Sequence, residues 1–190
     1  MARSDADIDR ARAARLPDDD VVGVLLEQHA RIRDLFAEVR TRSGEHKQRA
    51  FDELRALLAV HETAEEMVVR PVTTKVDRAV ASARDDEEKK TGRVLKSLEL
   101  LDVHSPAFAS VLTELERAVT SHAAHEEREE FPRVRGARSE AELATMGRRL
   151  RAAESIAATH PHPSITGSTA AQWTMGPIAS ILDRVRDAVH

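Results

Sequence analysis

One spacing occurs twice in this chain. In His61-Glu62-Thr63-Ala64-Glu65-Glu66, and again in His122-Ala123-Ala124-His125-Glu126-Glu127, a histidine is followed four residues later by a glutamate and then by a second glutamate. A proline, Pro71 or Pro132, closes each copy ten residues after the histidine. On an α-helix, positions i and i+4 lie one turn apart on the same face. Each copy therefore aims an imidazole and a carboxylate at one point. Two such helices facing each other bring two histidines and two glutamates to one buried spot, which is ligand chemistry for a pair of iron-like ions. A solvated His–Glu surface pair is the alternative reading of either copy alone. Both copies, however, lie on stripes that otherwise carry leucine and phenylalanine. Burying these groups without partners costs several kcal/mol per ion, a cost that a metal offsets while fixing their charge states.

The stripes define helices. Asp18, Asp19 and Asp20 offer an N-cap for a helix over about 20–42, whose inward set is Val21, Val24, Leu25, Gln28, Ile32, Leu35, Phe36 and Val39, with His29 on its edge. Ser43-Gly44 breaks it. A second helix, about 46–70, carries Phe51, Leu54, Leu57, Leu58, His61, Glu65, Val68 and Val69 inward; Pro71 is tolerated at its end or kinks it. A third, about 75–101, is clear at Val94, Leu95, Leu98 and Leu101 and fades into the charged run from Arg84 to Lys90. Ser105-Pro106 opens a fourth, with Phe108, Val111, Leu112, Leu115, Val119, His122, Glu126 and Phe131 inward, and Pro132 ends or kinks it. Ser139 and Glu142 form a capping box for a helix over about 140–157.

Outside these, residues 1–17 form an N-terminal arm, a frayed helix or disordered, ended by Pro17. Thr159-His160-Pro161-His162-Pro163 cannot be helical and reads as an extended strap, followed by an amphipathic segment at about 177–189. The expected organisation is thus an arm (1–17), a bundle (18–157), and a strap with a terminal helix packed on the bundle (158–190). Four long helices with short connections predict an all-α, up-down-up-down four-helix bundle.

Composition narrows the chemistry. The chain has no cysteine, which excludes disulfides, thiolate zinc sites, iron–sulfur clusters and cysteine nucleophiles. It has no tyrosine, which excludes a tyrosinate ligand. The 29 basic and 33 acidic residues give a net charge of -4 with no long single-sign block, so no nucleic acid is expected as partner. No apolar run approaches membrane-spanning length and residues 1–20 are too charged for a signal peptide, so no membrane partner and a cytoplasmic location are expected. Nothing in the pattern speaks to oligomeric state.

Three motifs together resemble one family: Leu25-Leu26-x-x-His29-x-x-Ile32-x-x-Leu35-Phe36, His61-x3-Glu65-Glu66 with Pro71, and His122-x3-Glu126-Glu127 with Phe131-Pro132. Over roughly residues 20–155 the chain is similar to hemerythrin-like proteins with the HHE cation-binding domain. The resemblance implies a four-helix bundle around two non-heme iron ions, oxo- or hydroxo-bridged. It implies His29, His61 and His122 as nitrogen ligands and Glu65 and Glu126 as bridging carboxylates.

The third helix departs from the family pattern. Where relatives carry a histidine seven residues before a leucine, this chain has Glu88, preceded by Glu87, and no histidine lies between His61 and His104. Glu88 or Glu87 binds iron, or His160 or His162 of the strap fills in, or the position is open. A carboxylate in place of an imidazole makes the site harder and more anionic, favouring peroxide or oxygen activation over reversible oxygen carriage. The expected function is binding of dioxygen, peroxide or nitric oxide in oxidative or nitrosative stress response, with weak catalase- or peroxidase-like activity. The competing readings are an iron- or oxygen-sensing or storage module without turnover, and a bundle that has lost its metal. Zinc suits the same groups. His125 is expected at the surface, and His46, His104 and His190 are expected to be solvated.

Overall fold

Two apolar clusters, stacked along the helices, hold the molecule together with a polar layer between them. The computed structural model describes residues 4–158, and the elements within them are all helical. The strap at His160–Pro163, Trp173, the expected terminal helix and His190 lie outside the described residues. Eight α-helices run in order: α1 (Asp5–Ala13), α2 (Val21–Thr41), α3 (Gly44–Val68), α4 (Arg70–Val76), α5 (Arg78–Glu99), α6 (Pro106–His125), α7 (Phe131–Ala137) and α8 (Glu140–Ala158). A single π-helical turn, Glu126–Glu130, joins α6 to α7.

The ends of these helices follow from their caps. Asp20 accepts the Val22 amide at 2.9 Å, and Ser105 accepts the Phe108 amide at 3.1 Å just before Pro106. Ser139 and Glu142 close the expected capping box at the start of α8. Only two residues separate α2 from α3, and the turn works because Gly44 takes a φ of 55°, where a side chain is strained. The two helices then run antiparallel, Gln28 meeting His61 and Arg31 meeting Glu53.

Both expected proline effects are realised as breaks. α3 stops at Val68 and α4 restarts with Pro71 in its first turn; the run through Pro132 restarts in the same way as α7. A proline lacks the amide that would continue the ladder but suits a helix's first turn.

One cluster packs Val21–Leu26 of α2 with Val60, Ala64 and Val68 of α3, Phe131 and Val134 of α7, and Leu143, Met146 and Leu150 of α8. The other packs Ile32–Val39 of α2 with Phe51, Leu54 and Leu58 of α3, Leu98 of α5, and Phe108, Leu112 and Leu115 of α6. Each fully buried large side chain contributes about 1.5–3 kcal/mol. In α2 the buried polar residues between the clusters are Gln28 and His29, and in α3 the buried His61 and Glu65 interleave with the apolar positions. The helices that build the core thereby also deliver polar groups to its middle.

The N-terminal arm corrects the sequence expectation. Residues 5–13 form a well-capped helix, with Ser4 and Asp7 reciprocally bonded, rather than a frayed one. Buried Asp9 holds it down on α2 by accepting from Arg33 at 2.8 Å. Its alternating arginines and aspartates read as a polar tail only until their partners on α2 and beyond α6 are in place. No helix among the described residues is long and apolar enough to cross a membrane.

Candidate metal centre

The two sequence copies meet in the polar layer. His29, His61, Glu65 and Glu126 form one group in which a ligand atom from each lies within 4.8 Å of all the others. Glu65, Glu88, His122 and Glu126 form a second group by the same measure. The six residues singled out in the sequence are therefore all brought together, and the two glutamates of the HxxxE pairs belong to both groups. Helix α5 contributes Glu88 at the position where a histidine was missing. Glu87 is turned elsewhere.

Each histidine is held from behind. Nδ1 of His61 lies 2.7 Å from Oε1 of Gln28, Nδ1 of His29 lies 3.1 Å from Glu127, and Nδ1 of His122 lies 2.9 Å from Glu87. All three partner atoms are acceptors, so Nδ1 carries a proton and Nε2 is the ring atom turned toward the cluster, bare on His61 and, on His29 and His122, the atom that gives up its proton to an incoming cation. The Nε2 atoms face the carboxylates: His122 to Glu126 at 2.9 Å, His29 to Glu126 at 3.3 Å, His61 to Glu65 at 3.5 Å. Phe131 stacks on the His29 ring, centroids 5.7 Å apart.

The inward atoms are unsatisfied. Both oxygens of Glu65, both of Glu126, and Nε2 of His29 and His122 are buried without a hydrogen bond. Short as some of these contacts are, they lack hydrogen-bond geometry. Burying such groups bare costs roughly 1–3 kcal/mol each and more for charges, so clustered orphans of mixed nitrogen and oxygen type are what a cation would satisfy. This donor set fits iron, and zinc equally well.

Proton affinities register the same crowding. Burial, with Glu126 alongside, pushes Glu65 well up. Burial also works against the charge of Glu126, but His122 and His29 outweigh it and hold Glu126 down. Burial pushes His61 down to about 3, helped by the neighbouring His29. For His122 burial is outweighed by Glu126 and Glu87, which raise it to about 9.

A cavity of about 30 Å³ adjoins the cluster, lined by His29, His61, His122 and Glu126, by the apolar Ile32, Phe36, Leu58 and Val119, and by the polar Arg33, Thr91, Glu116 and Thr120. A single water needs ~10–15 Å³ by this measure, so a two-atom molecule fits. Glu62 lines the same space, its carboxyl pushed up to about 7 by burial and by nearby Glu88.

Sequence reasoning missed the outer ring. Glu127 is fixed by Arg12 of α1 and, at 3.5 Å, by Arg33, so the arm reaches the back of His29. His125, expected at the surface, is half-buried, with Nδ1 2.7 Å from Glu87. The signal for Glu127 was visible as the second glutamate of the copy; Gln28 was visible as a polar residue on an apolar stripe. The π-turn had no sequence signal. Its Phe131 amide reaches back five residues to Glu126, and the widened turn keeps Glu126, Glu130 and Phe131 all buried. Exposed His46 and His104 lie away from the cluster, as expected.

Comparison with known proteins agrees with this architecture. No curated protein sequence matches the chain. Among solved structures, the crystal structure of a hemerythrin HHE cation-binding domain-containing protein, the Rv2633c homolog from Mycobacterium kansasii, is similar to it in fold. That similarity has a TM-score of 0.66 at 20% identity and covers 85% of this chain and 96% of that one. The family model for the hemerythrin HHE cation-binding domain matches residues 20–134, the stretch that supplies every residue of both ligand groups, and the chain belongs to that family.

Proposed function

We propose that the protein holds two iron ions, one per ligand group, bridged by Glu65 and Glu126, and that it takes a small diatomic or peroxide molecule in the adjoining cavity. The observation that carries this reading is the sharing of two orphaned carboxylates between two groups beside a 30 Å³ space. His29 and His61 serve one ion, His122 and Glu88 the other. Bound there, an iron pair supplies redox and Lewis-acid chemistry. The chain's own residues do the rest. Gln28, Glu127 and Glu87 keep a proton on each Nδ1 and so make Nε2 the nitrogen each ring offers to the ion. Ile32, Phe36, Leu58 and Val119 give the cavity apolar walls, and its volume limits its occupant to a few atoms. The biological reading is oxidative or nitrosative stress response, with weak peroxide-decomposing activity.

Elemental analysis of protein purified without chelator, together with peroxide consumption, tests this. Two irons per chain and iron-dependent peroxide loss are expected. Iron-free protein after iron-replete expression would sink the proposal.

A second reading, an iron or oxygen sensor or store without turnover, draws support from one observation. His29 is linked through Glu127 to Arg12 on α1, so a change at the cluster has a direct route to a surface helix. It predicts metal-dependent protection of α1 from hydrogen exchange with no peroxide consumption.

A further inference from the structure

The two sequence copies differ at the positions that follow their shared motif, and the differences fit together. Nine residues after its histidine the second copy has Phe131 and the first has Arg70. Phe131 stacks on His29, the ligand that α2 supplies to the first group. Arg70 pairs with Glu88, the ligand that α5 supplies to the second. Eight residues after the histidine the first copy has Val69 and the second has Glu130. Glu130 is buried and takes Arg70 Nη1 at 2.7 and 2.8 Å, with Thr73 donating a further hydrogen bond at 2.6 Å. Five residues after the histidine Glu127 holds Nδ1 of His29, whereas Glu66 is exposed, with no imidazole of α5 to hold.

Arg70 is buried, and a bare guanidinium there would be costly. Asp85 at 3.1 Å completes its ring of carboxylates. Burial works against its charge, but Glu130 and Glu88 outweigh that and raise its pKa. A planar guanidinium fixes the direction of the carboxylates it bonds, as a ring stack fixes an imidazole.

We propose that Arg70 is a positioning residue that holds Glu88 in the second ligand group as Phe131 holds His29 in the first, so that Glu88, Arg70 and Glu130 act as one unit in place of a histidine. The inference rests on the two-metal reading above. It makes the two positions unequal: two imidazoles and two carboxylates at one, one imidazole and three carboxylates at the other.

The test is titration of metal-free protein with cobalt(II), followed by equilibrium dialysis and visible absorption, with thermal unfolding of each metal-free variant as a folding control. Wild type is expected to take two equivalents in two resolved steps. In Arg70→Met the first step stays within threefold, while the second weakens at least tenfold and its absorption envelope changes, because Glu88 is free to turn to solvent. Arg70→Lys recovers part of the second step. A second step in Arg70→Met as tight as in wild type, with the same spectrum, overturns the proposal. No cobalt binding in wild type overturns instead the two-metal reading beneath it.

A second arm decides the matter if Arg70→Met does not fold. Glu88→His alone leaves an imidazole facing guanidinium donors and is expected to lose the second equivalent. Adding Arg70→Phe and Glu130→Val copies the arrangement around His29 and is expected to restore it to within threefold of wild type. Glu88→His binding the second cobalt as tightly alone as in the triple variant overturns the proposal.

Discussion

Nδ1 of His61 lies 2.7 Å from Oε1 of Gln28, a contact between α3 and α2 made wholly inside the protein. An amide oxygen cannot donate, so the imidazole must, and Nε2 is left bare toward Glu65. Gln28→Leu should keep the fold, since the side chain already sits on an apolar stripe. It should weaken metal binding at the first group by about 10- to 100-fold. Cobalt or iron titration measures this; unchanged affinity would remove Gln28 from the site.

The metal-free protein should lose stability as pH rises above neutrality. His122 is raised from 6.5 to about 9 by Glu126 and Glu87, against the effect of burial. A raised histidine contributes stability that is complete below 6.5 and is lost as pH climbs to 9. The loss is on the order of 3 kcal/mol. Glu62, raised to about 7, acts with the same sign between 4.5 and 7; His61, lowered to about 3, acts oppositely below 6.5. Above pH 7 the slope belongs to His122 together with His29, whose burial is likewise outweighed by Glu126 and Glu127. Thermal melts from pH 6.5 to 9 should show it in wild type and a shallower slope in His122→Gln, where His29 alone of the two remains. A flat profile in wild type would contradict the contacts around both rings.

Glu65 and Glu126 together should account for metal-linked stability. Iron at about 100 times its dissociation constant should stabilise wild type by about 2.7 kcal/mol. In Glu65→Gln with Glu126→Gln, iron should leave the melting temperature unchanged. Metal-free, the double variant should be less stable than wild type at pH 6.5, since relief of the repulsion around Glu65 is outweighed by loss of the carboxylate that His122 and His29 face. Equal iron-induced shifts in both proteins would show that the metal sits elsewhere.

Gly147 has a packing role that can be separated from the metal. A Cβ at this position would come within 1.9 Å of the Asp19 carbonyl oxygen, where α8 crosses the start of α2. Backbone must move to admit it, so Gly147→Ala should cost about 1–3 kcal/mol. Metal stoichiometry at a permissive temperature should be the same as in wild type. Denaturant titration gives the first result and elemental analysis the second; a neutral substitution would mean that α8 shifts freely.

Local spacing alone marks the helices and the polar residues that turn inward. Apolar periodicity fixes which face of each helix is buried, and His61, Glu65, His122 and Glu126 were legible because each is a polar residue on an otherwise apolar stripe, repeated at one spacing. His29 and Glu88 were legible only through the resemblance to a family, because neither belongs to a repeated local pattern. Only the tertiary structure decided between Glu88 and its neighbour: Glu88 joins the second group, while Glu87 holds His122 and His125. It also joined Arg12 to Glu127 across 115 positions and Arg70 to Glu130 across 60. The physical reason is reach. Helical spacing constrains residues three or four apart, so one turn of sequence specifies a His–Glu pair on one face. The groups that hold a ligand from behind come from other helices, and their partners are set by how whole faces pack. A charged residue in a charged stretch, such as Glu87 or Glu88, carries no local mark of which way it will turn.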